Sequence, residues 1–308
     1  MHARLATSIT TALGLLASVS AHAAGLEVQR LTDKVYALVG ELGQRSPENL
    51  GNNATFGVII TSAGVVLVDP GGSFAGARQI EQAVARITAK PVVVVINTGG
   101  QNHRWLGNGY FKAKGARLVA SRAAVADQRA RAADQYNALN MLIGEQALAG
   151  TEAVHAEETF ETRHTLTVGD TRLELYHHGA AHTPGDTIVW LPAERIAFTG
   201  DIVYVERMLG VGSMSNSGSW VKVFEALRAL NPRTVVPGHG HAVPLATASA
   251  DTYDYLVFLR QAVRAHIDAG RGIEAIGSID QSRFARLKVY AELKDRNAQQ
   301  VFQEMEWE

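Results

Sequence analysis

Three segments in the second half of the chain each place a histidine or an aspartate in a tight turn directly after a predicted strand. They are Ala181–Asp186 after the strand 172–177, Gly200-Asp201 after the strand 196–199, and Pro237–His241 after the strand 234–236. Neutral imidazole and carboxylate are suitable ligands for zinc and similar divalent ions, and ligands from several strand ends can converge on one point. Each segment alone is also typical of an ordinary turn, so the hypothesis of a metal site depends on all three together.

A fourth polar segment, Ile96–Asn108, follows an all-apolar strand in the first half of the chain. The point where a strand leads into a helix is a common place for chemistry in a layered protein. His103 is the one good ligand type in this segment, whereas Gln101 and Asn102 offer neutral amide oxygens, which suit harder ions better than zinc. Gly99 has no side chain and is interpreted as a turn glycine.

Arg104 follows His103 directly and limits what this segment can do. A guanidinium keeps its proton, and a like charge about 4 Å away costs about 4 kcal/mol at an intermediate dielectric, roughly doubled against a dication. We therefore expect Arg104 to turn away from the metal. It would either pair with an acidic residue or face the pocket and bind an anionic group of the substrate.

The elements that position these segments follow a pattern that occurs twice: hairpins, helix, strand and helix, then hairpins, helix and strand. Ser73 and Ser121 are predicted N-caps of helices that end near Ala89 and Met141. From Ala250 the pattern is helical only, with a last helical segment from about Gln281. The sequence predicts an α+β fold, in which two similar sheet-and-helix halves pack face to face with the helices outside.

Composition excludes several classes of protein. The chain has 308 residues, of which 46% are hydrophobic and 19% charged, so it can bury a large core. Its formal charge of −1 provides no basic surface for nucleic acid. Cysteine is absent, so a metal would have to be held by His, Asp, Glu or amides.

The N-terminus has the pattern of an export signal. His2 and Arg4 form a short basic flank, residues 12–19 are apolar, and Ala21-His22-Ala23 is a small-x-small cleavage site. We expect a signal peptide at residues 1–23, cleavage near Ala23 and a mature periplasmic protein that does not insert into the membrane. The apolar stretch is too short to span a bilayer comfortably.

Five motifs in order resemble those of the metallo-β-lactamase superfamily. They are Val68-Asp69-Pro70-Gly71, Asn97-Thr98, His182-Thr183-Pro184-Gly185, Gly200-Asp201 and Pro237-Gly238-His239-Gly240. The resemblance implies a four-layer αββα sandwich over residues 24–248, with a metal site at one edge and a helical extension over 249–308 packed on the same domain. It makes His182 a ligand of a first metal position, Asp201 a bridging carboxylate and His239 a ligand of a second position.

The segment after Asn97-Thr98 departs from this family, which has His-x-His-x-Asp-His there. A gapless alignment puts Gly99, Gln101, His103 and Arg104 in the four places, whereas a shifted alignment matches Asn102-His103 to the Asp-His pair. His103 occupies a ligand position in both alignments. The predicted ligands are therefore His103, His182, Asp201 and His239 around a divalent ion, with zinc favoured and one ion favoured over two.

The resemblance implies a hydrolase of ester, thioester, lactone or amide bonds in small molecules, with Asp201 and His103 at the catalytic centre. A carboxylate at position 201 resembles the glyoxalase II and lactonase branches, and the full-length pattern resembles SoxH-type periplasmic proteins. The alternative is a non-catalytic accessory protein of a periplasmic oxidation system that keeps the fold with a degenerate metal site.

Further residues are predicted to support the site. Gln101, Asn102, Asp186 and His241 are candidates either for the metal or for orienting its ligands, and His177 and His178 flank them. Substrate contacts are expected from Arg104, and from Tyr204 and Met208 in the segment after Asp201, where Leu209 and Met214 are further candidate pocket walls.

Overall fold

Two β-sheets form the centre of the computed structural model, which describes residues 25–308. The first sheet has seven strands in sequence order: β1 (Glu27–Arg30), β2 (Val35–Val39), β3 (Thr55–Thr61), β4 (Gly64–Val68), β5 (Val92–Asn97), β6 (Arg117–Ser121) and β7 (Glu158–Phe160). Strands β1 to β4 pair antiparallel, whereas β4 to β7 pair parallel.

The second sheet has five strands in the order β12-β11-β10-β9-β8. They are β8 (Arg163–Val168), β9 (Thr171–Tyr176), β10 (Ile188–Leu191), β11 (Ile196–Phe198) and β12 (Thr234–Val236). Strands β8 to β11 pair antiparallel, and β12 pairs parallel to β11. Because β4, β5 and β6 run parallel in one sheet and β11 and β12 in the other, the carboxyl ends of each set lie at one edge of their sheet.

Seven α-helices within residues 25–308 cover the sheets. They are α1 (Phe74–Ala85), α2 (Asn108–Lys112), α3 (Arg122–Leu148), α4 (Ser217–Ala229), α5 (Leu245–Ala248), α6 (Asp254–Asp268) and α7 (Tyr290–Met305). The predicted caps are present, since Ser73 accepts a hydrogen bond from the backbone of Gly76 and Ser121 accepts one from Ala124. Helix α1 ends before the predicted residue 89, and α3 continues past 141 with non-helical backbone at Gly144.

Three hydrophobic layers give the molecule its αββα order. Apolar residues from the inner faces of both sheets, such as Val68 and Phe198, form the central layer. The outer face of the first sheet packs on α1, α2 and α3 through residues such as Ile80 and Phe111. The outer face of the second sheet packs on α4, α6 and α7, with Trp220 fully buried among them. The predicted fold class is thereby confirmed.

Hydrogen bonds join the two sheets close to the strand ends that carry the predicted functional residues. Thr55 at the start of β3 donates its backbone N–H to the carbonyl of Gly238 at 2.8 Å and its hydroxyl to the carbonyl of Gly240 at 2.6 Å. Thr187 donates its backbone N–H to the carbonyl of Thr98 at 2.8 Å. These bonds hold the segment after β12 beside the start of β3, and the segment after β5 beside the start of β10, at one edge of the sandwich.

The predicted signal peptide lies outside the described residues. Within residues 25–308, no helix combines the length and the apolar character needed to cross a membrane.

Gly57 in β3 lies against the Phe198 ring of β11 in the central layer. A Cβ at this position would overlap the Phe198 ring of β11 and lie 2.9 Å from Val68 Cβ. We expect Gly57→Ala to lower the free energy of unfolding by about 1–3 kcal/mol, because a packed core does not accommodate an added methyl without strain. Chemical denaturation measures this, with Gly212→Ala as the control, since a Cβ there meets nothing within 4 Å. Equal midpoints for the two variants would contradict the packing described for the inner layer.

Candidate metal centre between the two sheets

Three side chains from three strand ends meet at the junction of the sheets. His103 lies in a short 3-10 helix after β5, Asp201 in a second one after β11, and His239 directly after β12. One ligand atom of each lies within 4.8 Å of the others, and this is the one such group among residues 25–308. All three are buried, with 1%, 1% and 3% exposure. The group has the donor types of a site for a divalent ion.

The hydrogen bonds of His239 determine which of its nitrogens is free. Its Nδ1 lies 2.8 Å from the carbonyl oxygen of Asn53, which only accepts, so Nδ1 carries the ring proton. Burial lowers the pKa of His239 to about 3, so the ring is neutral and Nε2 holds a lone pair. That lone pair faces Asp201 Oδ1 at 3.2 Å. Two acceptors at this distance repel each other unless a cation lies between them.

His103 is arranged differently, because the guanidinium of Arg45, which only donates, contacts its Nδ1 and so places the ring proton on Nε2. Its Nε2 is buried, has no hydrogen-bond partner and lies 3.2 Å from Asp201 Oδ2. Burial lowers the pKa of His103 well below its ordinary value, with Arg104 and Arg45 acting in the same direction. The donor set around Asp201 therefore consists of two neutral imidazoles and one carboxylate, which fits zinc or a similar ion.

Arg104 lies against the other side of Asp201 and is fully buried. Its Nε and Nη2 donate to Asp201 at 3.2 and 2.8 Å, and its Nη1 donates to Asp69 at 2.9 Å. Nη1 and Nη2 also donate to the carbonyl oxygens of Thr55 at 3.2 Å and Gly238 at 2.8 Å. All five N–H groups of the guanidinium are thus used within the protein.

The charges of this group are strongly coupled. Burial opposes the ionisation of Asp201, but Arg104 and His103 hold its pKa well below the usual range. Burial raises the pKa of Asp69 to about 6, although Arg104 and hydrogen bonds from Thr98 oppose the rise. Arg104 therefore compensates an ionised Asp201 and, near neutral pH, an ionised Asp69 as well.

Of the two roles considered for Arg104, the structure shows the pairing with acidic residues. Its cation contacts Asp201 directly, which is favourable because two buried carboxylates converge on it and would otherwise be uncompensated. The alternative, a substrate-binding role, does not fit, because no donor of the guanidinium is left for a substrate.

His182 lies beside the three-residue group but is not a member of it. Its Nδ1 lies 3.0 Å from the carbonyl oxygen of Gly210, and its ring packs edge-on against Trp220 and Tyr204. Tyr204 stacks on His239 with ring centroids 4.7 Å apart and is 3% exposed. The structure thus places Tyr204 as a wall of the predicted centre.

Several other predicted residues have partners elsewhere. Asn102 accepts a hydrogen bond from the backbone of His103 at 2.8 Å, and Gln101 is partly exposed beside it. His241 pairs with Glu206 at 2.8 Å and with Glu27 at 3.2 Å on the surface.

Met208 is fully buried in the outer core of the second sheet, so it contributes to packing and not to a pocket wall. The same core holds Leu209, whereas Met214 is partly exposed. His177 Nδ1 lies 2.9 Å from the carbonyl oxygen of Asp186, and His178 stacks on Tyr176.

Asp186 explains why residue 99 is a glycine. The carboxylate accepts hydrogen bonds from the backbone and the hydroxyl of Thr183, and a Cβ at Gly99 would lie 2.6 Å from Asp186 Oδ1. Asp186 thus occupies space that any side chain at position 99 would need.

Two residues beside the centre had no assigned role in the sequence analysis. Asp69 was noted only as part of a motif, and Arg45 in the polar segment between β2 and β3 was not singled out. The guanidinium of Arg45 contacts His103 Nδ1. The one signal that could have indicated Asp69 is the unexplained Arg104, which needs a buried carboxylate partner.

Comparison with known proteins yields one family. The model of the metallo-beta-lactamase superfamily matches residues 51–239. A type 2 metallo-beta-lactamase of Elizabethkingia meningoseptica is 21% identical over 245 residues, covering 78% of this chain and 89% of the relative. A type 2 metallo-beta-lactamase of Bacteroides fragilis is 32% identical over 88 residues, covering 27% of this chain and 35% of that enzyme.

A solved structure extends the likeness of the fold over more of the chain. A sec-alkylsulfatase from Pseudomonas superposes with a TM-score of 0.70 at 17% identity, covering 91% of this chain and 50% of that one. At this identity the likeness shows the fold alone.

Removal of Arg104 tests its role in the group. We expect Arg104→Met to lower the free energy of unfolding by about 3–5 kcal/mol, because it leaves two buried carboxylates without their cation. The matched control is Arg122→Met, which removes an ion pair to Glu161 whose side chains are 66% and 67% exposed. That change should cost less than about 1 kcal/mol. Similar losses in denaturant titrations of both variants would show that Arg104 has no special structural role.

Asp186 predicts a pH dependence of stability. Burial raises its pKa to about 7 against hydrogen bonds from Thr183, compared with 3.8 for the ordinary carboxyl. Between these values the folded state holds a proton that the unfolded state has lost, so the contribution of Asp186 to stability falls by about 1.4 kcal/mol per pH unit as pH rises. We expect denaturation of the metal-free proteins from pH 4.5 to 6.5 to show that the free energy of unfolding of Asp186→Asn rises relative to that of the wild type. A pH-independent difference would refute the raised pKa.

Proposed function

The chain belongs to the metallo-beta-lactamase superfamily, and on that premise we propose that it is a metal-dependent hydrolase that uses a single divalent ion. Its substrates are small molecules with an ester, thioester, lactone or amide bond. Members of this superfamily are mostly metal-dependent hydrolases, which supports the reaction class.

The contact between His239 Nε2 and Asp201 Oδ1 is the observation that carries the proposal. Both atoms are acceptors, they lie 3.2 Å apart and both residues are buried. A proton cannot resolve the conflict at neutral pH, since the pKa of His239 is about 3. A divalent cation can accept both lone pairs. It would also take the Nε2 lone pair of His103 after the ring proton moves from Nε2 to Nδ1, which Arg45 contacts in this structure.

The protein's own residues hold the donor set in place. Asn53 accepts the Nδ1 proton of His239 and so fixes the tautomer that leaves Nε2 free. Arg104 binds Asp201 from one side and leaves lone pairs of both its oxygens toward the histidines. When bound, the ion would supply a water of pKa roughly 7 and polarise a carbonyl.

Zinc is the proposed metal, because imidazole and carboxylate suit it and no thiolate is available. A single ion is proposed because Gly99 has no ligand atom and Asp186 lies where a side chain would extend. We retain His182 as a proposed fourth ligand.

The cellular setting is proposed from the sequence. The N-terminal pattern ending at Ala23 supports export to the periplasm and cleavage there. The resemblance to SoxH-type proteins supports a role beside a periplasmic oxidation system.

The alternative function is a binding or accessory protein without catalysis. Arg104 favours it, because the guanidinium already donates two hydrogen bonds to Asp201 and compensates its charge without a metal. In that case the fold and the charged group would be kept for stability alone.

Metal analysis of the mature protein separates these functions. We expect about one zinc per wild-type chain, loss of most of it in His239→Gln and Asp201→Asn, and an unchanged content in His241→Gln, since His241 pairs with surface glutamates. Elemental analysis after dialysis against zinc measures the content, and hydrolysis of a panel of esters, thioesters, lactones and amides measures activity.

The two readouts have distinct outcomes. Zinc binding without turnover would favour the accessory protein. A chain that takes up no zinc, manganese or iron and hydrolyses nothing would end the hydrolase proposal.

A further inference from the structure

We propose that Arg45 binds an oxyanion, the anionic group of the ligand that this site takes. The proposal rests on the proposed function only in identifying this ligand as the substrate of the hydrolase. It assigns to Arg45 the anion-binding role that the sequence analysis considered for Arg104.

The guanidinium of Arg45 has almost no partner within the protein. Its Nη2 contacts His103 Nδ1, its Nε is buried without a hydrogen bond, and its Nη1 has no hydrogen bond to the described residues. No carboxylate of residues 25–308 forms an ion pair with it. A guanidinium offers five donors in a planar fork, so most of its hydrogen-bonding capacity is unused.

Comparison with Arg104 shows that Arg45 lacks a carboxylate partner. Both guanidinium groups lie beside the same three-residue group, but Asp201 and Asp69 raise the pKa of Arg104 against the effect of burial. Burial instead lowers the pKa of Arg45 to about 10, and the pull of Asp201 does not compensate for it. Arg45 still carries its charge at neutral pH. A partly buried cation in this position is stabilised by an anion supplied from outside.

The surroundings of Arg45 add positive charge. Arg207 is 6% exposed, has no ion pair with a carboxylate of the described chain and donates from its Nε to the carbonyl of Leu42 at 2.8 Å. It thereby holds the segment three residues before Arg45. Repulsion from both Arg207 and Arg104 contributes to the lowered pKa of Arg45. Of these three guanidinium groups, Arg104 alone forms ion pairs, so Arg45 and Arg207 have no direct carboxylate partner among the described residues.

Arg45 cannot donate a hydrogen bond to His103 when His103 serves as a metal ligand through Nε2. If His103 uses Nε2 to hold an ion, its ring proton lies on Nδ1, where Asn102 Oδ1 at 3.3 Å can accept it. Arg45 then loses its one acceptor. A guanidinium without an acceptor has the planar donor fork that binds a carboxylate or a sulfate through two parallel hydrogen bonds.

Calorimetric titration of the metal-free mature protein with sulfate, and separately with acetate, tests this role without any need for turnover. We expect Arg45→Gln to weaken binding of the better anion about tenfold or more, as for loss of a charge-assisted hydrogen bond. Arg45→Lys should retain part of the affinity because it keeps the charge. Arg233→Gln is the matched control, since Arg233 is exposed and has no ion pair.

The outcomes are separable from those of the hydrolase proposal. Equal binding by wild type and Arg45→Gln, or binding of neither anion by the wild type, would overturn the inference even if zinc-dependent hydrolysis is found. Loss of binding in Arg45→Gln, with retention in Arg45→Lys and Arg233→Gln, would support it even if no hydrolysis is found. A stronger response to sulfate or to acetate indicates which oxyanion geometry the site prefers.

Discussion

The buried guanidinium of Arg104 is the interaction on which the centre of this protein depends. It joins Asp69 at the end of β4 to Asp201 after β11, and it also binds the carbonyl oxygens of Thr55 and Gly238. These four partners come from both sheets, so one side chain connects the two halves where their strand ends meet. A buried cation of this kind contributes little net energy when complete, but it is costly to break because the remaining charges have no solvent to stabilise them.

The same interaction shapes the predicted chemistry. Because Arg104 holds Asp201 from one side, both carboxylate oxygens are also directed at His103 and His239. The arrangement keeps Asp201 ionised and both imidazoles neutral, which is the protonation state that a divalent ion requires. The positive charge of Arg104 stabilises the ionised Asp201 carboxylate, and it also weakens the attraction of that carboxylate for a metal ion. The first effect favours the proposed hydrolase, and the second favours the alternative accessory protein.

The altered segment after β5 is consistent with its surroundings. Gly99 lies against Asp186, which is fixed by Thr183, so the absence of a side chain at 99 belongs to the local packing. On the opposite side, Arg45 brings to His103 a cation that lacks a counter-ion. The charge of Arg104 is thus compensated by two carboxylates, whereas that of Arg45 is not. Under our proposal an incoming anion would bind Arg45.

The sequence by itself determined the αββα fold, because alternating apolar runs, tight turns and the caps Ser73 and Ser121 act locally. It also singled out His103, His182, Asp201 and His239, of which His103, Asp201 and His239 meet in one group and His182 does not join it. It did not predict the edge strands β1 and β7, which have a single neighbour each and little apolar alternation.

Only the tertiary structure decided the partners of Arg104, which lie 35 and 97 residues away along the chain. The separation of Arg45 from His103 is 58 residues, and no local pattern specifies contacts over such distances. For that reason the sequence left two roles open for Arg104, and the structure selected the pairing with Asp69 and Asp201.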